Sequence, residues 1–412
     1  MATSRLRLPL LDWPMLIASA ALLIIGLATV YSATTVPGAH EGLWTKQLTW
    51  MVFALGAAWV ATSLHYRAHD SLAYPLYVLS LILLVAVLVF GSTAFGAKRW
   101  LDLGPLRFQP SEIAKIATVF VLARRFSHPK LNLSRFSHWF PPLLIALVPF
   151  VLVAEEPDLG TSLSFPIILI AMYFWAGMPI PNLILGLSPA FTLVLAFLLN
   201  PRHVPFWLIL GVVLTGLFML LRPKRLLLAL ALLLHLGVAF AMPVVKDRLH
   251  DYQLRRIETF LNPDQDPQGA GYQIIQSRIA IGSGGVLGKG WLQGTQKGLS
   301  FLPMRHTDFI FAVVGEERGL LGALTVVILY GVIILRGYRL AAVARNGFAS
   351  LLAVGLVTAF FFHVMVNILM TIGWAPVTGL PLPLLSYGGT ALIVNCVQLG
   401  LLQNVALRRQ EY

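Results

Sequence analysis

The sequence predicts an all-α polytopic integral membrane protein with about 12 transmembrane helices. Three observations lead there. Hydrophobic residues make up 58% of the 412 residues and charged residues only 11%, more apolar surface than a soluble chain of this size could bury. Several runs of roughly 20 residues are almost free of charge, enough to cross a ~30 Å hydrocarbon layer as helices. Basic residues cluster at the ends of these runs, where membrane topology is set. The net charge of +13 therefore reads as membrane anchoring and not as a nucleic-acid surface.

The expected spans follow in order. The first runs from about Pro14 to Ala33, after Arg5 and Arg7, and reads as a retained anchor because no small-residue cleavage site follows it. The second covers Leu48 to Leu64, the third Tyr74 to Phe90 and the fourth Ser111 to Leu122. The fifth, Pro141 to Ala154, stops at Glu155-Glu156-Pro157-Asp158, and the sixth is Thr161 to Ala176. Three more are Asn182 to Leu199, Val204 to Leu221 and Leu226 to Val244. After one long polar loop, residues 245–307, come Phe309 to Leu335, Leu351 to Ile372 and Pro383 to Leu407. All of this forms a single transmembrane domain over residues 1–412. The lone cysteine, Cys396, excludes an internal disulfide and says nothing about compartment.

With the N-terminus in the cytoplasm, Arg67, Arg124 with Arg125, Arg222 with Lys224 and Arg225, Arg336 with Arg339, and Arg408 with Arg409 all fall inside. Both termini are then cytoplasmic. The long loop and the loop carrying Lys98 and Arg99 face outward, against the charge trend, as loops that hold an anion would.

The polar segments gather on that outer side. In the first, Lys98, Arg99 and Arg107 surround Trp100 and lead to Gln109-Pro110-Ser111-Glu112. Pro110 suits a first helical turn. Glu112 and Lys115, three residues apart, share a helix face. They are either an ion pair that stabilises the helix or the wall of a polar cavity. Trp100 is either an interfacial aromatic or a sugar contact. Asp158, just ahead of the sixth span, can point towards the same cavity, whereas Glu155 reads as solvated. The segment GSGGVLGKG, residues 282–290, lacks the Walker pattern, because Ser283 and Gly290 stand where a Gly and a Ser or Thr are needed. That excludes a nucleotide. A basic, Gly-rich loop can still cradle a diphosphate through backbone N–H groups, with Lys289 beside it.

Asp308 enters an apolar helix directly after a polar loop, flanked by His306 and Thr307. It is either a helix cap or a general base. Glu316 and Glu317 lie deep enough that at least one must face protein or water. His306 alone makes no metal site, and no His/Cys/Asp cluster shows zinc spacing. The run GLPLPLLSYGG, residues 379–389, implies non-helical backbone, which a membrane tolerates only where it is buried in protein or lines a cavity.

With those residues in view, the chain resembles the SEDS family (shape, elongation, division and sporulation), which includes RodA and FtsW. The resemblance rests on KRWLDLGPLRFQPSEIAK, EPDLGTS, DPQGAGYQIIQSRIAIGSGGVLGKGWLQGTQ, FLPMRHTDFIFAVVGEE and PVTGLPLPLLSYGG, in the family's order. Details such as GLPLPLLSYGG are more RodA-like. The resemblance implies a peptidoglycan glycosyltransferase that polymerises lipid II at the outer face of the bacterial inner membrane for elongation and rod shape. It implies a class B penicillin-binding protein as partner and a divalent cation, Mg²⁺ or Mn²⁺, with ligands unspecified. It carries the essential acid to Asp308, cavity roles to Trp100, Glu112 and Lys115, and a role to Asp158. Lys98, Arg99, Arg107, Lys289, His306 and Thr307 join them as expected substrate contacts. Lys115 is also a candidate ion-pair partner for Asp308.

Two departures stand out. Met304 replaces a Glu that many relatives carry. Residues 182–244 hold about two spans beyond the family's ten, which reads as an inserted pair. Two other functions fit the same features: a lipid II flippase, or a non-catalytic scaffold for the penicillin-binding protein.

Overall fold

The computed structural model describes residues 11–35, 42–64, 66–94, 97–103, 106–199, 201, 203–223, 225–248, 259–260, 271–295 and 304–408. Arg5, Arg7, Lys224, Arg409 and much of the expected long loop lie outside them. Helices dominate: α1 (Trp13–Thr34), α2 (Leu43–Ser63), α3 (Tyr66–Phe90), α4 (Pro110–Phe126), α5 (Phe140–Glu155), α6 (Leu159–Ser162), α7 (Ser164–Trp175), α8 (Ile180–Leu198), α9 (Val204–Leu221), α10 (Arg225–Arg248), α11 (Tyr272–Ser283), α12 (Ile310–Val343), α13 (Gly347–Thr371) and α14 (Gly389–Leu407).

Among the described residues nine helices are long and apolar enough to cross a membrane. Helix α2, the 17-residue α4 and the consecutive α6 and α7 are the other three expected spans. The protein is thus a multi-pass helical membrane protein, as predicted. Capping fixes several starts. Asp12 accepts the Met15 amide ahead of α1, and Asn346 accepts those of Phe348 and Ala349 ahead of α13. Helix α4 carries Glu112 in its first turn and Arg124 and Arg125 in its last, matching its dipole.

Helix α13 is the central post, buried over most of its length. Gly355 lets it touch α4 and α7, since a Cβ there would come within 2.5 Å of Val119 and 3.0 Å of Met172. Helix α14 approaches α2 as closely at Gly400, where a Cβ would meet the Ala58 carbonyl at 2.4 Å. Helices α8, α9 and α10 stand apart, with their own small core of Leu195, Phe206, Leu210, Leu214 and Met242. Buried His235 of α10 bonds Ser188 and Thr192 of α8 at 3.0 and 2.5 Å, clamping that unit.

The outer loop after α3 departs from the all-helical expectation. It forms a three-stranded antiparallel meander, β1 (Ser92–Ala94), β2 (Ala97–Leu103) and β3 (Leu106–Phe108). One end of the bundle therefore carries the sheet. The opposite end carries Arg124, Arg125, Arg222, Arg336 and Arg408.

Helix α12 is broken. Gly319 sits at φ 62°, ψ −161°, so the helix's own ladder lapses there. The segment after α11 repairs it from the side. Lys289 and Gly290 donate their N–H groups to the Glu316 and Glu317 carbonyls, both at 3.0 Å. Leu320 and Leu321 donate theirs to Gly285 and Val286 at 2.9 and 3.2 Å. Backbone approaches backbone so tightly that a Cβ on Gly284 would stand 2.0 Å from the Gly315 carbonyl oxygen.

Candidate active site

The site is built around Asp308, half-buried two residues ahead of α12. Its segment turns tightly: the amides of Thr307 and Asp308 both reach the Met304 carbonyl at 3.1 Å. The non-helical backbone expected after α13 does lie against it. Ser386 donates to the Thr307 carbonyl at 2.6 Å, the Tyr387 amide to the His306 carbonyl at 2.9 Å, and buried Asn367 to the Asp308 carbonyl at 2.9 Å. The same Asn367 amide group donates to Leu380 at 2.7 Å, so one side chain holds both loops. The rings of His306 and Tyr387 meet at 5.9 Å. Thr307 bonds the Met304 carbonyl at 3.2 Å, so it closes the turn.

Gly379 faces the carboxylate. Its φ is +76°, and a Cβ there would lie 3.6 Å from Asp308 Oδ2. Glycine both permits the left-handed backbone and keeps bulk away from the acid. The loop then touches the EPDLG turn, since a Cβ on Gly160 would crowd Thr378 and Leu380 at 2.9 to 3.1 Å. In that turn Asp158 is buried. It accepts the Thr161 amide and hydroxyl at 3.2 and 2.9 Å and the Gln109 amide group at 3.3 Å. Arg99 lies 3.9 Å from Asp158 and donates to the Pro157 carbonyl. Asp158 and Arg99 are thus brought to the site as a brace beneath the loop.

Glu156 was missed in the sequence. It lies just beyond α5, is fully buried, and neither carboxyl oxygen has a hydrogen-bond partner. Burial first, and then the Asp158 charge, push its pKa to about 9, against a smaller opposing pull from Arg99. It is a neutral acid at physiological pH.

The sheet supplies the exposed cations. Lys98 and Arg107 are exposed, Arg107 lies 3.4 Å from Asp102, and Trp100 is half-buried in β2. Thr390 bonds the Arg107 carbonyl at 2.8 Å, fastening the sheet to the first turn of α14.

Three expectations are corrected. Lys115 does not pair with Asp308. Its ammonium is 2.9 Å from Glu112 and 2.7 Å from His363, all three buried, with Ser164 3.2 Å from the same His363 nitrogen. Glu112 and Lys115 therefore form an internal network and do not wall an open cavity. His363 could have been found as an ionisable residue inside an apolar run. The residue 282–290 loop turns inward where an anion cradle was expected: the amides of Gly284, Gly285, Gly288, Lys289 and Gly290 are all bonded within the protein. Lys289 itself pairs with Glu316 at 2.8 Å. The two deep acids are accounted for: Glu316 by Lys289 and Thr295, and Glu317 by Ser32 at 2.5 Å. Among the described residues no group of three His, Cys, Asp or Glu is placed to hold a metal.

The family profile described as "Cell cycle protein", FtsW/RodA/SpoVE, matches residues 12–206 and 206–411. The chain belongs to that family. It is similar to the peptidoglycan glycosyltransferase MrdB of Escherichia coli K12, with 39% identity over 97% of this chain and 94% of the relative. It is 34% identical to a probable peptidoglycan glycosyltransferase FtsW of Geobacter metallireducens, over 96% of this chain and 95% of that one. Among solved structures it resembles a chain of a peptidoglycan synthase complex that coordinates polymerization and crosslinking. The TM-score is 0.73 at 32% identity, covering 98% and 99% of the two chains. Thermus thermophilus RodA superposes with TM-score 0.65 at 27% identity, covering 97% and 98%.

Proposed function

We propose that this chain is a peptidoglycan glycosyltransferase that polymerises lipid II at the outer face of the bacterial inner membrane during cell elongation. The observation that carries the reading is the setting of Asp308: its segment is pinned by Asn367, Ser386 and Tyr387, with bare Gly379 opposite the carboxylate. Such a carboxylate suits a general base that takes the proton of the acceptor GlcNAc 4-hydroxyl. The oxygen attacks the anomeric carbon of the lipid-linked MurNAc, and undecaprenyl diphosphate leaves. Lys98 and Arg107 are the exposed cations on the sheet that suit the leaving diphosphate.

A divalent cation fits this donor set as a guest held mainly by phosphate. Asp308 offers one carboxylate, and Mg²⁺ is commonly bound by one or two carboxylates together with substrate phosphates. When bound, it would offset charge on the diphosphate.

Both termini are cytoplasmic in this reading. The basic end bearing Arg124, Arg125, Arg222, Arg336 and Arg408 faces inward, and the sheet faces outward. A class B penicillin-binding protein as partner is supported by the likeness to a chain of a polymerising and crosslinking synthase complex. Helices α8 to α10, with their separate core, support the reading of residues 182–244 as an addition to the family's helices.

The test is polymerisation of fluorescent lipid II by purified protein with Mg²⁺ or Mn²⁺, with and without the partner, beside Asp308→Asn. Glycan from wild type and none from an equally stable variant supports the reading. Glycan from both removes Asp308 as the base. Glycan from neither, with partner present, favours transport of lipid II.

A further inference from the structure

We propose that a cleft between α5, α7 and α8 holds an acyl chain of an anionic phospholipid, whose phosphate rests on the loop carrying Lys130 and Arg135. The cleft lies at the basic end of the bundle, remote from the sheet and Asp308. It measures about 250 Å³ and is almost wholly apolar, walled by Trp139, Leu143, Leu169, Tyr173, Leu183 and Gly186. Its opening is set by Gly186, where a Cβ would meet no atom within 4 Å. Helix α8 therefore leaves a slot beside α7, and in a bilayer an apolar slot of this kind takes a lipid chain and not water.

Charge at the mouth selects the headgroup. From Arg124 to His138 the sequence has Arg124, Arg125, Lys130 and Arg135, two histidines and no acid. Arg124 is engaged by Asp70 at 3.6 Å. Lys130 and Arg135 are exposed and have no carboxylate partner among the described residues. The loop is fastened to the wall of the cleft. The Asn132 amide bonds His138 Nδ1 at 2.8 Å, Trp139 donates its indole N–H to the Leu133 carbonyl at 2.9 Å, and Tyr173 donates to the Trp139 carbonyl at 2.5 Å. The loop that carries the two cations is thereby tied to Trp139 and Tyr173, which line the slot. A zwitterionic lipid would fill the slot but bring its own ammonium group up to these cations. An anionic one answers both features, since basic residues beside a membrane attract anionic headgroups.

Trp139 makes the site readable. The full chain is placed in phosphatidylcholine nanodiscs containing a minor, equal fraction of either phosphatidylglycerol or phosphatidylcholine with dibrominated acyl chains. The Trp139 component of quenching is isolated by difference from Trp139→Phe. Stronger quenching by the brominated phosphatidylglycerol is expected. Lys130→Glu with Arg135→Glu should equalise the two lipids, and Gly186→Leu should abolish the Trp139 component for both. The charge variants lie on an exposed loop, so they remain informative if Gly186→Leu fails to fold. Equal quenching by the two lipids in wild type overturns the proposal, as does an unchanged preference after charge reversal.

Discussion

Replacing Glu156 by Gln should stabilise the protein, by an amount that grows with pH. The acid is fully buried, unpartnered, and raised from 4.5 to about 9. The sign follows from proton counts. Above its ordinary value the unfolded chain releases the Glu156 proton while the folded protein keeps it. Stability therefore falls as pH rises through 4.5 and stops falling above about 9. At about 1.4 kcal/mol per unit, the penalty is under about 1 kcal/mol near pH 5 and about 3 kcal/mol near pH 7. It levels off at about 6 kcal/mol, an upper bound because water can enter once the acid ionises. Glutamine matches the neutral acid in shape and carries none of this penalty. The assay is thermal unfolding of both proteins in one detergent across this range. The gap between midpoints should be small at acid pH, widen through neutrality and flatten above about pH 9. A gap independent of pH, or a less stable Gln variant at neutrality, would refute the reasoning.

Other perturbations address the remaining parts. Gly379→Ala places a Cβ 3.6 Å from Asp308 Oδ2 on a backbone at φ +76°, costing about 1–2 kcal/mol of stability and a larger share of polymerisation, read by the lipid II assay. His363→Leu deprives the Lys115 ammonium of an acceptor in a buried network and should cost about 1–3 kcal/mol, whereas His363→Gln, which keeps an acceptor, should recover part of it in thermal unfolding. Arg336→Ala leaves buried Asp12, bound by Arg336 at 2.7 and 3.0 Å, without its guanidinium, and should cost about 3 kcal/mol, measured the same way.

Much of this was legible because hydrophobic runs must become helices in lipid. The expected span Val204 to Leu221 coincides with α9 to the residue, whereas ends such as Tyr74 and Leu335 stop eight residues short of α3 and α12. The run 379–389 was correctly read as broken backbone near the polar site because prolines and glycines cannot continue a plain helix. The sheet was missed although its signal was present: Gly104-Pro105 is a turn pair between the short runs that became β2 and β3. The Gly-rich loop departs from its expected role for a physical reason. Glycines announce close approach and left-handed backbone, but not what approaches, and here it is the broken helix α12. Glu156 is hidden because its character depends on what surrounds it in space; His363 stands out as an ionisable residue in an apolar run, but its partner does not. Neither the neutrality of the one nor the Lys115 contact of the other is encoded by neighbours in sequence.

The splint across the break in α12 also governs how a mutational map of this chain should be interpreted. At Gly284, Gly288 and Gly319 the obstacle to any side chain is main chain at 2.0 to 2.4 Å, which no rotamer change relieves. Intolerance there measures volume and says nothing of catalysis. Val286 and Leu287, on the same loop, are exposed and should accept most residues. A scan would show an alternation of forbidden and permissive sites resembling a ligand-binding motif, although the ligand of this loop is the protein's own backbone.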